Sequence, residues 1–480
     1  MSVTNIRREL SDKLPIYTII EDALAGEVTV KSKGKNYLPE PMTHDTSSTE
    51  RYASYLARAV YYNVIKPTQE ALVGQLFLRK PKVNLPELMT GMEKDVNGEG
   101  LDIEQIIRLA ANHVLPYGRG GFLADFPMQQ AEVTRADIDN GLQPTVTFYA
   151  PWAITNWRVT KVGKKQKLTL LVLKEVYETR ESGDEFSTDL KDRYRVYTLD
   201  AGVVTLRVWE DEEKLVSNTL LKDSDGNTFD TIPFEFIGSE NNDAEIDEPP
   251  LYGLASLNIH HYRNSADYEE SVFLVGQPTP VYSGLTQDWV DNNFKGGVPF
   301  GSRASIPLPE NGKAILLQAE PNTLAYEAMT HKEEQMIAIG AKIINPRQTV
   351  ERKEAEIQIE AASQRSVLTT IKDNLQKAMI LALQHAAKFV GSNPEEIDLE
   401  LNDNFDLTSM TAEEIRWLIE LYNGKLVPFG TVHENLRRSG IVKNTAEESK
   451  AEILADLDFV KSVTPVDPNP KPAPAANQKA

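Results

Sequence analysis

Between Leu254 and Val390 three helical patterns follow one another, separated by two interruptions of different kinds. The first pattern, Leu254–Val275, is polar around most of its circumference. Gln277–Pro321 follows, carrying Pro278, Pro280, Pro299, Pro307, Pro309 and Pro321, with short strand patterns at Thr279–Tyr282 and Ala314–Gln318. Proline fixes φ and removes an N–H, so no long helix passes through such an insert. Asn322–Ile344 is helical again, and Asn345-Pro346 breaks it, because the residue before a proline is pushed out of the helical region. Glu354–Val390 is the strongest helical pattern, with Leu368, Ile371, Leu375, Ala378, Met379, Ala382, Ala386 and Phe389 on one stripe. As one helix it would span about 55 Å at 1.5 Å per residue. Helix, insert, helix, loop and long helix are the frame that any fold of this chain has to accommodate.

The flanking sequence sets the fold class. A polar helical pattern opens the chain, and Gly26–Met42 is punctuated by Gly, Lys and Pro. Tyr52, Tyr55, Leu56, Ala59, Val60 and Asn63 then recur at helical steps, as do Thr68, Leu72, Val73 and Leu76 before Arg79-Lys-Pro81. A further helix fits Leu101–Leu115, ended by Pro116 and Gly118. β-rich runs follow at Gly121–Asp125, Thr145–Ala150, Trp152–Thr160, Leu168–Tyr177, Arg193–Leu199, Val203–Glu210 and Phe234–Phe236, spaced as hairpins are. Ser239–Pro250 is acidic and has the composition of a linker. Beyond Gly391, helical patterns cover Ala412–Tyr422, Thr431–Ser439 and Ala446–Ser462, and Thr411-Ala-Glu-Glu414 has the form of a capping box. Thr464–Ala480 is rich in Pro, Ala, Asn and Lys and has the composition of a disordered tail. Helices packed with an antiparallel sheet make an α+β protein.

Composition removes several functions. There is no cysteine, so disulfides, thiol nucleophiles and thiolate zinc sites are excluded. No run of eighteen apolar residues is present, and the opening MSVTNIRREL lacks the apolar stretch of a secretory signal, so neither a membrane span nor export is expected. Of seven histidines only His260 and His261 are neighbours, and adjacent helical positions point about 100° apart, unsuited to sharing a metal. No metal or cofactor site is expected. Tyr117-Gly-Arg-Gly-Gly121 follows a helix and precedes a strand, the reverse of a phosphate loop, and fits a tight turn. Asp223–Asp230 has its glycine at the fourth position, where a calcium loop has it at the sixth, and fits a hairpin. The pairs Glu269-Glu270, Glu333-Glu334, Glu413-Glu414 and Glu447-Glu448 fit solvated helix faces better than acid–base dyads. No catalytic residue is assigned, and the chain is not expected to be an enzyme.

The net charge is −20, from 51 basic and 71 acidic residues, opposite to that of a protein that grips nucleic acid. Against it stand Lys342, Arg347, Arg352 and Lys353, with only Glu351 between them, a net +3 at the break between two helices. A helix C-terminus accounts for Lys342. It does not account for Arg347, Arg352 and Lys353 at the approach to the next helix, and a basic loop there is a candidate for phosphate contact.

Several phrases together resemble the portal proteins of tailed bacteriophages. They are Arg51–Ala59, Tyr117–Asp125, Tyr149–Trp152, Tyr252–Tyr268, Gly276–Pro280, Glu333–Ala341 and Ser363–Leu368, spread over Tyr37–Phe459. The resemblance implies an N-terminal wing of helices and antiparallel sheet over residues 1–253 and a first stem helix over 254–275. A small α/β clip (276–321), a second stem helix (322–344) and a tunnel loop (345–353) would follow, then a long wing helix (354–391), a helical crown (392–462) and a tail (463–480). It implies a ring, typically of twelve subunits, at one vertex of a capsid assembled in the host cytoplasm, conducting double-stranded DNA during packaging and ejection. Partners would be the large terminase and head–tail adaptor at the clip, and major capsid and scaffold proteins around the wing. Gln277, Trp289, Lys295, Arg303 and Lys313 would serve docking at the clip, and Lys342, Arg347, Arg352 and Lys353 would face the channel. Twelve segments of +3 make a belt of about +36, which acts over a Debye length. The acidic remainder would let phosphates slide. The alternative is a structural connector or scaffold subunit of a virion that never encloses DNA.

Overall fold

The computed structural model describes residues 2–41, 48–126, 142–162, 164–179, 188–212, 214–276, 279–294, 308–317, 323–344, 366–402, 412–438, 442 and 444–463. The chain divides into two units, Met1–Asn402 and Asp403–Ala480. The first combines helices with antiparallel sheets, the α+β class expected.

Its helical part opens with α1 (Arg8–Ala25), α2 (Glu27–Ser32), α3 (Ser48–Arg58), α4 (Ile65–Leu76) and α5 (Ile103–Tyr117). The short strand β1 (Lys82–Asn84) lies between α4 and α5. In α5 an Asp102–Gln105 capping box fixes the start. The helix runs through Pro116, where the sequence predicts its end. Proline leaves the carbonyl four residues back without its helical donor. Gln69 Nε2 supplies one, 2.7 Å from Asn112 O. Gly118 then closes α5 in the left-handed conformation, φ 73°.

β2 (Arg119–Asp125) starts at once, and the glycines of the expected tight turn have separate reasons. A Cβ on Gly120 would meet the Phe148 ring at 2.6 Å, and one on Gly121 the Phe234 ring at 2.1 Å. β2 is the middle of a three-stranded antiparallel sheet, with β3 (Thr145–Tyr149) on one side. A five-stranded antiparallel meander follows: β4 (Ile154–Val162), β5 (Lys165–Thr179), β6 (Asp189–Asp200), β7 (Val203–Glu210) and β8 (Lys214–Leu220). The first sheet is completed by β9 (Phe234–Gly238). The strand expected from Trp152 begins at Ile154, because Pro151–Ala153 is a 3-10 turn. β8 escaped the sequence reading, since its residues are exposed on both faces and show no alternation. The hairpin at Asp223 is confirmed: Asp223 Oδ1 accepts from Asp225 N and Asn227 N at 3.0 and 2.8 Å, next to a Lys222–Thr228 bridge.

Arg119 joins the two sheets. Its guanidinium lies between the Trp157 and Phe236 rings, 4.3 and 4.5 Å from their centres, and Nη1 donates to Glu245 O at 2.6 Å. Burial pulls its pKa down to about 10, so it remains a cation at neutral pH.

Further along lie α6 (Tyr252–Gly276), β10 (Thr279–Ser283), α7 (Gln287–Asn293), β11 (Lys313–Leu317), α8 (Leu324–Ile344) and α9 (Val367–Val390). α9 is the core helix. The whole predicted stripe from Leu368 to Phe389 is buried, packed over β9, β2 and α5. Its start differs from the expected Glu354. Ser366 is extended (φ −64°, ψ 148°) and its side chain accepts from Thr369 N, so an N-cap stands where the pattern suggested continuity. This 24-residue helix spans about 36 Å, not 55 Å. Residues 354–365 lie outside those described. After α9, β12 (Asp398–Glu400) pairs with β1, a long-range contact that neither three-residue strand announces.

The acidic stretch Ser239–Pro250 is not a loose linker. Asp247 Oδ2 accepts from Glu240 N and Asn241 N at 2.7 and 3.3 Å, and Asn242 Nδ2 donates to Asn374 O on α9 at 2.8 Å. Its acids act as turn formers, which composition alone does not distinguish from solvation.

The second unit holds α10 (Ala412–Asn423), α11 (Phe429–Arg438) and α12 (Ala446–Val463). Thr411 lies outside the described residues, but the same four-residue phrase at Thr445–Glu448 forms a capping box. Thr445 N donates to Glu448 Oε2 and Glu448 N to Thr445 Oγ1, at 2.8 and 3.2 Å.

Candidate functional site: the α6–α8 hairpin and its insert

α6 and α8 pair along their length. His261 Nε2 lies 3.1 Å from Glu333 Oε1, Lys332 Nζ lies 3.2 Å from Asn264 Oδ1, and the Tyr268 and Tyr326 ring centres are 6.0 Å apart. The partner number falls as the α6 number rises, so the helices are antiparallel. The insert is carried where α6 ends and α8 begins.

Several polar side chains of α6 hold the preceding helices. Asn258, fully buried, accepts from Val64 N and Ile65 N at 3.0 and 3.2 Å and donates to Tyr62 O at 2.7 Å. Those amides precede or open α4, where helical partners are lacking. Ser265 Oγ accepts from Val60 N at 3.0 Å, and Arg263 Nε donates to Tyr37 O at 2.7 Å. Tyr55 donates to Asp267 Oδ1 at 2.6 Å, and burial, then that carboxylate, pushes the Tyr55 pKa well above its usual range. Glu270 takes Arg58 as a close ion-pair partner, with Arg51 at 3.7 Å. Glu270 is therefore a half-buried anchor paired to α3, and Glu333 faces the buried His261.

The free end is the converse. β10 and β11 form an antiparallel pair, Thr279 opposite Leu317 through Ser283 opposite Lys313. Val281 and Ile315 face each other and both are exposed, and Leu316, opposite Pro280, is exposed too. α7 contributes Trp289, whose ring meets Phe294 edge-on at 5.1 Å, and Phe294 lies 5.6 Å from Tyr282. Leu324 and Tyr326 of α8, at this end, are exposed at 71% and 56%.

Of the residues assigned to docking, Trp289 belongs to this aromatic cluster and Lys313 stands exposed at the end of β11. Gln277, Lys295 and Arg303 lie outside the described residues, as do Arg347, Arg352 and Lys353. Lys342 falls in the last turn of α8. The side chains of all four basic residues lie outside those described. The residues that fix the hairpin, Asn258, Ser265 and Asp267, were missed. The available signal was Asn258 and Ser265 on the helix face that also carries Leu254, Tyr262 and Ala266; Asp267 lies off that face.

A family model described as "Domain of unknown function (DUF4055)" matches residues 250–390, the stretch from α6 through α9. No curated protein matches the chain. Among solved structures, it is similar to a chain of the "Virion of native gene transfer agent (GTA) particle", at 11% identity and a TM-score of 0.41, over 87% of this chain and 99% of that one. It is likewise similar to a chain of the "Neck of empty GTA particle computed with C6 symmetry", at 10% identity and a TM-score of 0.42, over the same shares.

Proposed function

We propose that this chain is a portal-like subunit whose copies close into a ring around a channel for double-stranded DNA, without catalysing a reaction. The α6–α8 hairpin would be its stem. The β10–α7–β11 insert would be its clip, docking a terminase and a head–tail adaptor. The phrases Tyr252–Tyr268 and Gly276–Pro280 support this reading, and one observation carries it. The hairpin holds out a two-stranded sheet with exposed apolar residues on both faces and unpaired edges among the described residues. A two-stranded sheet alone is marginal in water, and open edges invite pairing with another chain. Identical copies around a rotation axis would cover both faces and both edges at once. Negative-stain electron microscopy of the purified protein tests this. Rings of uniform size with a central hole are expected, and particles of monomer or dimer size under every condition would refute it. Replacing Arg347, Arg352 and Lys353 by Gln should leave ring formation intact and impair DNA packaging. Unchanged packaging would remove that segment from the DNA path.

A further inference from the structure

The strongest charge contrast in the sequence lies outside the α6–α8 hairpin. From Asn140 to Lys174 there is no Asp or Glu, although acids make up 71 of 480 residues. The same stretch holds Arg158, Lys161, Lys164, Lys165, Lys167 and Lys174. The first five fall where β4 turns into β5. Val159 stands opposite Leu168, Thr160 opposite Lys167, Lys161 opposite Gln166 and Val162 opposite Lys165. β6 pairs with β5 only from Leu170 onward, so these four rungs form a two-stranded ribbon at the end of the sheet.

Arg158, Lys161 and Lys164 are exposed, and none has a carboxylate within ion-pair distance among the described residues. Lys167 is held by Asp230, with Nζ 2.9 Å from its carbonyl oxygen and 3.2 Å from Oδ2. Arg158 stands opposite Leu170 at the root of the ribbon, next to a register shift, on the same strand face as Thr160; Lys161 lies on the other face and Lys164 in the turn. Cations gathered without partners repel one another and oppose the compact state. Folding therefore gives no reason for the cluster, and binding does.

We propose that the β4–β5 ribbon contacts the phosphate backbone of double-stranded nucleic acid. Two strands about 4.8 Å apart, with side chains on either side, fit the roughly 12 Å major groove, which admits a two-stranded ribbon. Cations on both faces then reach phosphates on both walls. The ribbon carries little that reads base edges, so it positions a duplex without selecting its sequence. An acidic polypeptide would satisfy the charge but offers no groove to match the shape. The inference does not depend on ring closure.

The test is fluorescence anisotropy of the full chain with a labelled 20-base-pair duplex across a salt series, with unlabelled poly-glutamate as competitor. The assembly state of every sample is followed by light scattering. The triple variant Arg158→Gln, Lys161→Gln, Lys164→Gln should bind about tenfold or more weakly at 0.1 M salt and flatten the log–log salt slope by up to about 2.7, at about 0.9 per phosphate contact. Thermal melting, unchanged for these exposed side chains, checks the fold. The charge-keeping variant Arg158→Lys, Lys161→Arg, Lys164→Arg should bind as the parent does. Equal affinity and slope for the Gln variant would overturn the proposal, and so would displacement of the duplex by poly-glutamate at equal charge. A monomer that binds duplex through the ribbon would sink the ring reading and leave this one standing.

Discussion

The base and the tip of the α6–α8 hairpin break the usual inside–outside rule in opposite directions. At the base, Asn258, His261 and Ser265 are buried with polar partners. At the tip, Val281, Ile315, Leu316, Leu324 and Tyr326 are apolar and exposed. Buried polar groups that find hydrogen-bond partners favour one arrangement, because alternatives leave them unpaired. Exposed apolar groups on a protruding limb reserve their stabilisation for another surface. The base is completed by its own chain, and on the proposed reading a neighbour completes the tip.

Base substitutions should therefore cost folding, and tip substitutions should cost assembly. Asn258→Ala leaves Val64 N, Ile65 N and Tyr62 O without their partner and should destabilise by about 3 kcal/mol in urea unfolding. A loss under about 1 kcal/mol would mean that water replaces the amide. Tyr55→Phe removes one hydrogen bond to a carboxylate and should cost about 1–2 kcal/mol in the same assay. His113 supplies a smaller, pH-dependent term within the folded body. Burial lowers its pKa from 6.5, its contact with Leu109 O notwithstanding. Below pH 6.5 the unfolded chain takes up the proton more readily, so stability should fall with pH from there down to the lowered folded pKa. His113→Gln should flatten that part of the stability profile without altering assembly. Smallest of all, Ile315→Ser with Leu316→Ser should change unfolding of the dispersed chain by no more than about 0.5 kcal/mol.

Periodicity made much of this legible. The α9 stripe from Leu368 to Phe389 is buried as its spacing implies, because a core helix writes its contact face at every third or fourth residue. The order of helix, insert and helix was equally plain, since Pro278 to Pro321 excludes any other reading. What stayed hidden was of two kinds. Long-range pairings such as β1 with β12 join short segments whose local sequence carries no trace of the partner. Polar side chains are ambiguous in the other way: Asp247, Asn258 and Glu270 have the composition of solvated surface and serve as internal staples. Charge is legible at the Lys342–Lys353 helix break, while the acid-free stretch around Arg158–Lys167, with the larger contrast, lies inside ordinary strand patterns.

The most direct test is the mass distribution of the assembled protein by sedimentation velocity, for the parent chain and for the Ile315→Ser, Leu316→Ser variant. A tip that waits for identical neighbours predicts one closed multiple of the 53.7 kDa chain for the parent and a folded monomer for the variant. A parent that stays monomeric at every concentration, or a variant that assembles as the parent does, would contradict the account.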